Sequence, residues 1–319
     1  MRRFLLAMVV AVGLGGCHRN ASSTAPLRLG YLPNITHAQA LVGANEGTFQ
    51  RHLGAVPLTL VRFNAGPEAM EALVAGSLDA CYVGPSPATI AYVRSHGMVR
   101  VIAGAASGGA VLVVRSATQP SDLRGKKLAS PQVGNTQDVA LRHWLKAQGV
   151  EATVLPIANA DTLSLFQRGQ IEGAWVPEPW GARLVREAGG RVLVDERDLW
   201  PGAQFPTTVL VASEAGLRRR RSELLSVVRA HLELTRRWTD APAAFQTAAN
   251  DAFQKVTGRR LSDPVLRDAF SRLSPTAELM LPRMLEQAAR AVDLGYLPRA
   301  NLDGLVDPSL LEEVQAPKS

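Results

Sequence analysis

Residues 80–87 read Ala-Cys-Tyr-Val-Gly-Pro-Ser-Pro, a short apolar strand that passes through a glycine into the start of a helix. The pattern on either side repeats this unit. Strands are predicted at 27–31, 58–63 and 99–103, and helices at 37–54, 67–75 and 87–96. Strands and helices that alternate in this way build βαβ units and a mostly parallel sheet. The sequence therefore predicts an α/β fold.

A second alternating set occupies the middle of the chain. It comprises predicted strands at 126–129, 153–156, 173–176 and 191–194 and predicted helices at 137–148, 161–169 and 179–188. The apolar strands 111–115 and 207–212 flank this set, and we interpret them as crossovers between two lobes. From Leu217 the pattern is almost wholly helical, and the tail after Asp307 is predicted to be frayed. We expect lobe I at 27–110 and 213–319, lobe II at 111–212, and a ligand cleft between them.

The N-terminus has the pattern of a secretory signal. Arg2 and Arg3 precede an uncharged apolar run, Phe4 to Leu14, which is shorter than the roughly 20 residues of a membrane-spanning helix. Gly15, Gly16 and Cys17 follow this run. The tetrapeptide Leu14-Gly15-Gly16-Cys17 resembles a bacterial lipobox. The resemblance implies a signal peptide at 1–16, a lipidated Cys17 and a tether at 17–26. The mature chain is then expected in the periplasm or at the cell surface, anchored to the membrane by lipid. The alternative is an ordinary secretory signal with an incidental cysteine.

Composition excludes several classes of function. The 319 residues carry a net charge of +7, which falls to +5 without Arg2 and Arg3, and this modest excess suits small anions. Basic and aromatic residues do not interleave, which argues against nucleic acid. The six histidines show no metal-ligand spacing, so we expect no metal and no cofactor. Cys81 is predicted to be a small buried apolar residue.

Four segments share one design, in which a strand runs into a turn and then into a small or polar helix start. They supply Asn34, Thr36 and His37; Gly84 and Ser86; Ser107 and Gly108; and Asn135 and Thr136. Ser86 and Asn135 are predicted helix N-caps. The start of a helix leaves backbone N–H groups free and carries partial positive charge, so it binds small anions without a lysine. Each segment alone is equally consistent with simple helix capping.

A fifth candidate is the loop Trp175-Val176-Pro177-Glu178-Pro179-Trp180. A tryptophan at a cleft offers apolar surface and an indole N–H donor, and packing within the second lobe is the alternative role. Glu178 is unexpected beside an anion. It is predicted to pair with Arg183 or Arg186, or to meet an ammonium group on a zwitterionic ligand.

The stretch from Gly30 to Ser213 resembles the substrate-binding proteins of the sulfonate, taurine and nitrate class of ABC importers, and the aliphatic-sulfonate branch most. The resemblance rests on the stretches 30–38, 82–87, 101–110, 134–140, 173–180 and 195–201. It implies a two-lobe periplasmic-binding-protein fold of type II, with two mixed sheets flanked by helices. It implies a small anionic ligand, a membrane permease with its ATPase, and a monomer. The implied ligand shell is Asn34, Thr36, His37, Gly84, Ser86, Ser107, Gly108, Asn135, Thr136, Trp175 and Glu178.

Other functions stay open at this point. The ligand is an aliphatic sulfonate on the resemblance, and nitrate, a sulfate ester, a phosphorus oxyanion and a pyrimidine are the alternatives. An enzyme is a second class, because Gly84-Pro85-Ser86-Pro87-Ala88 approaches a nucleophile elbow, although its last position is alanine. A ligand sensor on the same fold is a third. The run Arg218 to Arg221 is either a solvated surface or a docking site for lipid or permease.

Overall fold

The structure is a computed structural model that describes residues 25–317. The predicted signal peptide, the lipidation site at Cys17 and most of the tether lie outside the described residues. From residue 25 to residue 317, no helix is both long enough and apolar enough to cross a membrane. This part of the chain folds into two mixed sheets flanked by helices, which confirms the α/β class and the two-lobe architecture.

The strands follow the predicted order closely. They are β1 (Leu27–Tyr31), β2 (Leu58–Arg62), β3 (Ala80–Val83), β4 (Val99–Gly108), β5 (Ala110–Val114), β6 (Lys127–Ser130), β7 (Thr153–Pro156), β8 (Gly173–Pro177), β9 (Arg191–Asp195), β10 (Pro206–Ser213) and β11 (Leu273–Pro275). Lobe I holds the sheet β11-β4-β10-β3-β1-β2, and lobe II holds the sheet β7-β6-β8-β5-β9. In the first sheet β1 is parallel to β2 and β3, whereas β10 is antiparallel to β3 and β4.

The helices lie around these sheets. They are α1 (Ala38–Asn45), α2 (Thr48–Leu53), α3 (Gly66–Val74), α4 (Pro85–Arg94), α5 (Thr136–Ala147), α6 (Asn159–Gln167), α7 (Trp180–Ala188), α8 (Glu214–Arg219), α9 (Arg221–Asp240), α10 (Pro242–Thr257), α11 (Asp263–Ser271), α12 (Leu281–Asp293) and α13 (Ser309–Gln315). Alternate residues of β3 face opposite sides of the sheet. Tyr82 joins the core under α1 and α9, while Cys81 and Val83 join the core under α3 and α4. Cys81 is fully buried, as predicted.

The lobes are joined where β4 passes into β5 and where the chain returns into β10. Gly108 and Gly109 form the first crossover with φ of 78° and 74°, in the left-handed region that favours glycine. The Gly108 N–H donates to the Phe205 carbonyl at 3.1 Å, so the two crossovers lie side by side. Strand β10 pairs with β3 and β4, so it belongs to lobe I. The boundary between the lobes therefore lies at the N-terminal end of β10, before the predicted boundary after residue 212.

The C-terminal third differs from its prediction in two places. The prediction of a frayed tail is wrong, because α13 packs against α9 with Leu310 and Leu311 buried. The short strand β11, which pairs with the end of β4, falls where only a helix break at Pro275 was predicted. This strand brings the end of α11 close to the crossover between the lobes.

Candidate ligand-binding site

A cavity of about 20 Å³ lies between the lobes. Its lining residues are Leu32, Asn34, Thr36, His37, Gly66, Gly84, Asn135, Gln137, Asn159, Pro177 and Thr207. Five residues of the predicted shell are among them: Asn34, Thr36, His37, Gly84 and Asn135. The first, second and fourth of the predicted segments therefore reach the cavity.

The cavity lies at the starts of several helices. Gly84 is the N-cap of α4, Asn135 is the N-cap of α5, and Asn159 is the first residue of α6. The free N–H groups and the partial positive charge of these helix starts favour an anion at this position. Asn159 and Thr207 were missed from sequence. Asn159 carried a usable signal, because it opens a helix directly after the strand β7.

His37 is buried beside the cavity, and its charge state follows from that burial. Removal from water lowers the pKa of His37 to about 3, so the imidazole is neutral at physiological pH. The Leu32 N–H lies 3.4 Å from Nδ1, which assigns Nδ1 as the acceptor of the neutral ring. The remaining nitrogen, Nε2, is then a hydrogen-bond donor. The structure therefore presents His37 as a neutral ring with one N–H donor.

Asn34 connects the two lobes at the edge of the cavity. Its Oδ1 accepts a hydrogen bond from Trp180 Nε1 at 2.9 Å, so the amide NH₂ group is left for other partners. The next backbone group, the Ile35 N–H, donates to the Glu178 carbonyl at 3.1 Å. Trp180 also packs edge-on against Phe253 of lobe I, with 6.5 Å between ring centroids.

Gly84, Ser86 and Thr136 meet where α4 faces α5. Thr136 Oγ1 lies 3.4 Å from the Ser86 N–H, and a Cβ on Gly84 would come within 2.3 Å of the same oxygen. The prediction of Ser86 as an N-cap is wrong, because α4 begins at Pro85, two residues earlier than predicted, and Gly84 is its N-cap. The Ser86 hydroxyl is buried and has no hydrogen-bond partner among residues 25–317. Asn135 does cap α5, since its Oδ1 accepts from the Gln137 N–H at 3.3 Å.

Ser107 and Gly108 lie at the crossover and do not line the cavity. Ser107 Oγ accepts from the Phe205 N–H at 3.2 Å, and the Gly108 carbonyl accepts from the Thr207 hydroxyl. Both residues therefore help to join β4 to the start of β10.

Trp175 lies in the core of lobe II and away from the cavity. It is fully buried, its ring packs against Trp144 at 6.0 Å, and its Nε1 donates to Glu196 at 2.8 Å. Burial raises the pKa of Glu196 to about 7. The structure thus places Trp175 in the packing role that was its alternative, and Trp180 is the tryptophan that faces the other lobe.

Glu178 is fully buried in an ion pair between the lobes. Its Oε1 accepts from Arg272 Nη1 at 2.7 Å, and its Oε2 accepts from the Ala182 N–H at 3.0 Å. Burial raises the pKa of Glu178, and Arg272 opposes that shift. The predicted partners are engaged elsewhere: Arg183 pairs with Glu187 and Arg186 with Asp268. The Glu178 carboxylate is therefore satisfied by protein groups.

The electrostatics of the cavity are set by neutral donors. With His37 uncharged, none of the described residues that line the cavity carries a formal charge. Across residues 25–317, no cluster of three or more His, Cys, Asp or Glu side chains is arranged to hold a metal ion. An anion here would be balanced by helix starts and by N–H and O–H dipoles.

Comparison with known proteins identifies the family of the chain and agrees with its fold. The model of the NMT1-like family matches residues 20–251, and the chain belongs to that family. A putative binding protein from Brucella abortus is 28% identical over 220 residues, which are 67% of each chain. The taurine-binding periplasmic protein of Escherichia coli is 28% identical over 168 residues, which are 50% of each chain. The solved alkanesulfonate-binding protein SsuA from Xanthomonas axonopodis pv. citri, bound to MOPS, aligns with a TM-score of 0.71. That alignment covers 85% of this chain and 92% of SsuA at 21% identity, and it shows a shared fold.

Proposed function

We propose that this chain is the extracytoplasmic solute-binding component of an ABC importer. In this proposal it captures a small organic oxyanion of the aliphatic sulfonate type between its lobes and delivers it to a membrane permease with its ATPase. The observation that carries the proposal is the interlobe cavity, where α4, α5 and α6 begin and where the lining side chains are uncharged. Membership of the NMT1-like family and likeness to taurine- and alkanesulfonate-binding proteins support the ligand class.

The mechanism follows from the donors at the cavity. The anionic head accepts hydrogen bonds from the Asn34 amide, the Thr36 hydroxyl and the neutral His37 Nε2–H, and from backbone N–H groups at the start of α5. Closure removes water, which strengthens each of these interactions. Because no full cation holds the anion, opening of the lobes is sufficient for release to the permease.

The same geometry favours binding over turnover. The Ser86 hydroxyl has no hydrogen-bonded base among the described residues, and His37 Nδ1 is engaged by a backbone N–H. A serine nucleophile needs a base within hydrogen-bond reach. We therefore propose a binding protein that is not an enzyme and that acts as a monomer.

The proposal includes lipid anchoring through Cys17. The first described residues, Ala25 and Pro26, lie against lobe I, where Arg220 donates to both of their carbonyls at 2.9 and 2.8 Å. A lipidated tether would therefore leave the protein at the end of lobe I that carries the arginine run at 218–221. In this proposal the mature protein lies on the outer side of a membrane, in the periplasm or at the cell surface.

A second candidate ligand is a smaller inorganic oxyanion such as nitrate. The observation that favours it is the cavity volume of about 20 Å³, which leaves little space for an organic tail. In addition, Trp175, the tryptophan of the implied ligand shell, lies in the core of lobe II.

A thermal-shift screen of residues 18–319 tests the proposed function. The panel contains taurine, short and long alkanesulfonates, sulfate esters, nitrate, phosphonates and a thiamine-type pyrimidine. A ligand that binds the folded state alone raises the melting temperature. A shift with sulfonates supports the main proposal, and a shift with nitrate alone supports the second candidate. A shift with the pyrimidine alone, or with nothing, contradicts both.

A matched pair of variants locates the site. Thr36→Val removes a hydroxyl at the cavity, whereas Thr48→Val removes a hydroxyl of lobe I that is equally buried but does not line the cavity. We expect Thr36→Val to weaken binding about tenfold and Thr48→Val to leave it unchanged. Equal effects of the two variants would place the ligand elsewhere. Loss of solute uptake in cells that lack the chain would distinguish an importer from a sensor.

A further inference from the structure

Asp138 is a buried carboxylate that the proposed mechanism does not use. It lies in the first turn of α5 and is fully excluded from solvent. Its Oδ1 accepts from Ser130 Oγ at 2.7 Å and from Arg142 Nε at 2.9 Å. Its Oδ2 accepts from the Gly134 N–H at 3.0 Å and from the Tyr296 hydroxyl at 2.6 Å.

Three of these donors belong to lobe II and organise the loop between Ser130 and Asn135, here called the ligand-facing loop. Ser130 ends β6, and Gly134 has a φ of 76° just before the Asn135 N-cap. By holding both ends of this short loop, the carboxylate fixes the start of α5 that lines the cavity. Arg142 approaches from the next turn of the same helix.

The fourth donor comes from lobe I. Tyr296 follows α12, which packs on α4, and among the described residues it is the one side chain of lobe I that donates to Asp138. The pair is bordered by an apolar cluster that contains Val139 of lobe II and Ala291 and Leu297 of lobe I. Burial and the hydrogen bond to Asp138 raise the pKa of Tyr296, so its hydroxyl keeps its proton at physiological pH.

We propose that Tyr296 and Asp138 form an interlobe latch and that Tyr296 is a positioning residue for ligand capture. One carboxylate orders the ligand-facing loop and also accepts the bond from the opposite lobe. The Asp138 carboxylate therefore couples closure of the lobes to the ordering of the loop between Ser130 and Asn135. Tyr296 itself does not line the cavity. This inference rests on the proposed function, because it assigns the latch to the capture of a solute.

Tyr296→Phe and Arg142→Met provide a matched comparison. Each variant removes one donor to the same carboxylate, but the first donor crosses between the lobes and the second stays within lobe II. Spin labels at Glu71→Cys in lobe I and Gln148→Cys in lobe II, both exposed positions, report the interlobe distance by pulsed electron resonance. The native Cys81 is fully buried and is left unlabelled.

The expected result is a shift of the ligand-free distance distribution to longer values in Tyr296→Phe and an unchanged distribution in Arg142→Met. With taurine or nitrate as the probe, Tyr296→Phe should raise the dissociation rate about tenfold. An unchanged distance distribution in Tyr296→Phe, or an equal shift in both variants, would overturn the latch.

The distance measurement separates the two proposals because it requires no ligand. A longer distance in Tyr296→Phe without binding of any panel anion would retain the latch and reject the proposed ligand class. Circular dichroism of each variant checks that the fold is intact. If Tyr296→Phe failed to fold, Tyr296→Met would test the same bond.

Discussion

Gly84→Ala places a methyl group in a close contact between the lobes. Gly84 has a φ of −69°, a backbone conformation that alanine adopts without strain. Its Cβ would lie 2.3 Å from Thr136 Oγ1, whereas ordinary contact begins at 3.4 Å. Because Thr136 belongs to lobe II, separation of the lobes relieves the clash. The cost therefore falls on closure and leaves the folding of lobe I unchanged.

The size of the effect follows from the cost of overpacking. An added methyl group in a close-packed contact costs about 1–3 kcal/mol. If that cost opposes closure, affinity for the captured anion falls about 5- to 150-fold. Isothermal titration calorimetry measures this loss, with the panel anion that gives the largest thermal shift as the ligand. The melting temperature of the ligand-free protein should stay close to that of the wild type.

A double variant serves as the control. Thr136→Ala removes the oxygen that the new methyl group meets, so Gly84→Ala with Thr136→Ala should recover affinity relative to Gly84→Ala alone. Wild-type affinity in Gly84→Ala would show that closure does not bring Gly84 against Thr136. No recovery in the double variant would refute the assignment of the clash to Thr136.

Three further predictions concern stability, the C-terminus and localisation. The folded-state pKa of Glu196, about 7, lies above the ordinary value of 4.5, so its contribution to stability is present below pH 4.5 and is lost as the pH rises to 7. In denaturant melts at pH 8, Glu196→Gln should therefore have a free energy of unfolding up to about 3 kcal/mol higher than that of the wild type. An unchanged free energy of unfolding would contradict the raised pKa of Glu196. Leu310 is fully buried in α13, so Leu310→Ala should lower the free energy of unfolding by about 2–5 kcal/mol. An unchanged free energy of unfolding would support a frayed tail after Asp307. Cys17→Ser should release the protein from the membrane fraction on cell fractionation, whereas retention would reject the lipid anchor.

The two sheets were predictable because alternation of strands and helices is a local property of sequence. Strands 80–83 and 153–156 were predicted with their observed bounds. The missed elements depend on tertiary contacts. Strand β11 is only Leu-Ser-Pro, and its pairing with β4 brings together residues far apart in the chain. Helix α13 is short and is held by the burial of Leu310 against α9.

The site was predictable where backbone position alone mattered. Asn34, Gly84 and Asn135 reach the cavity because they follow the ends of β1, β3 and β6, strands of the two sheets that face each other across it. The direction of a side chain was harder to predict from the sequence. Trp175 packs on Trp144 because of the face of β8 on which it lies, and the local sequence does not indicate that face.

The ion-pair partner of Glu178 could not be predicted from the neighbouring sequence. Arg272 is 94 residues away, at the end of a helix whose approach depends on β11. Spacing arguments favour partners within one or two turns, which is why Arg183 and Arg186 were considered. Both arginines lie on α7, but each points to a different carboxylate.

In the proposed function, neutral donors and helix starts hold a small oxyanion between the lobes. A crystal structure of the protein with the oxyanion identified by the screen would show whether they do. We expect the anion in the interlobe cavity, bonded to Asn34, the His37 Nε2–H and the start of α5, with no arginine or lysine in contact with it. An anion bound outside this cavity, or paired with an arginine, would contradict it.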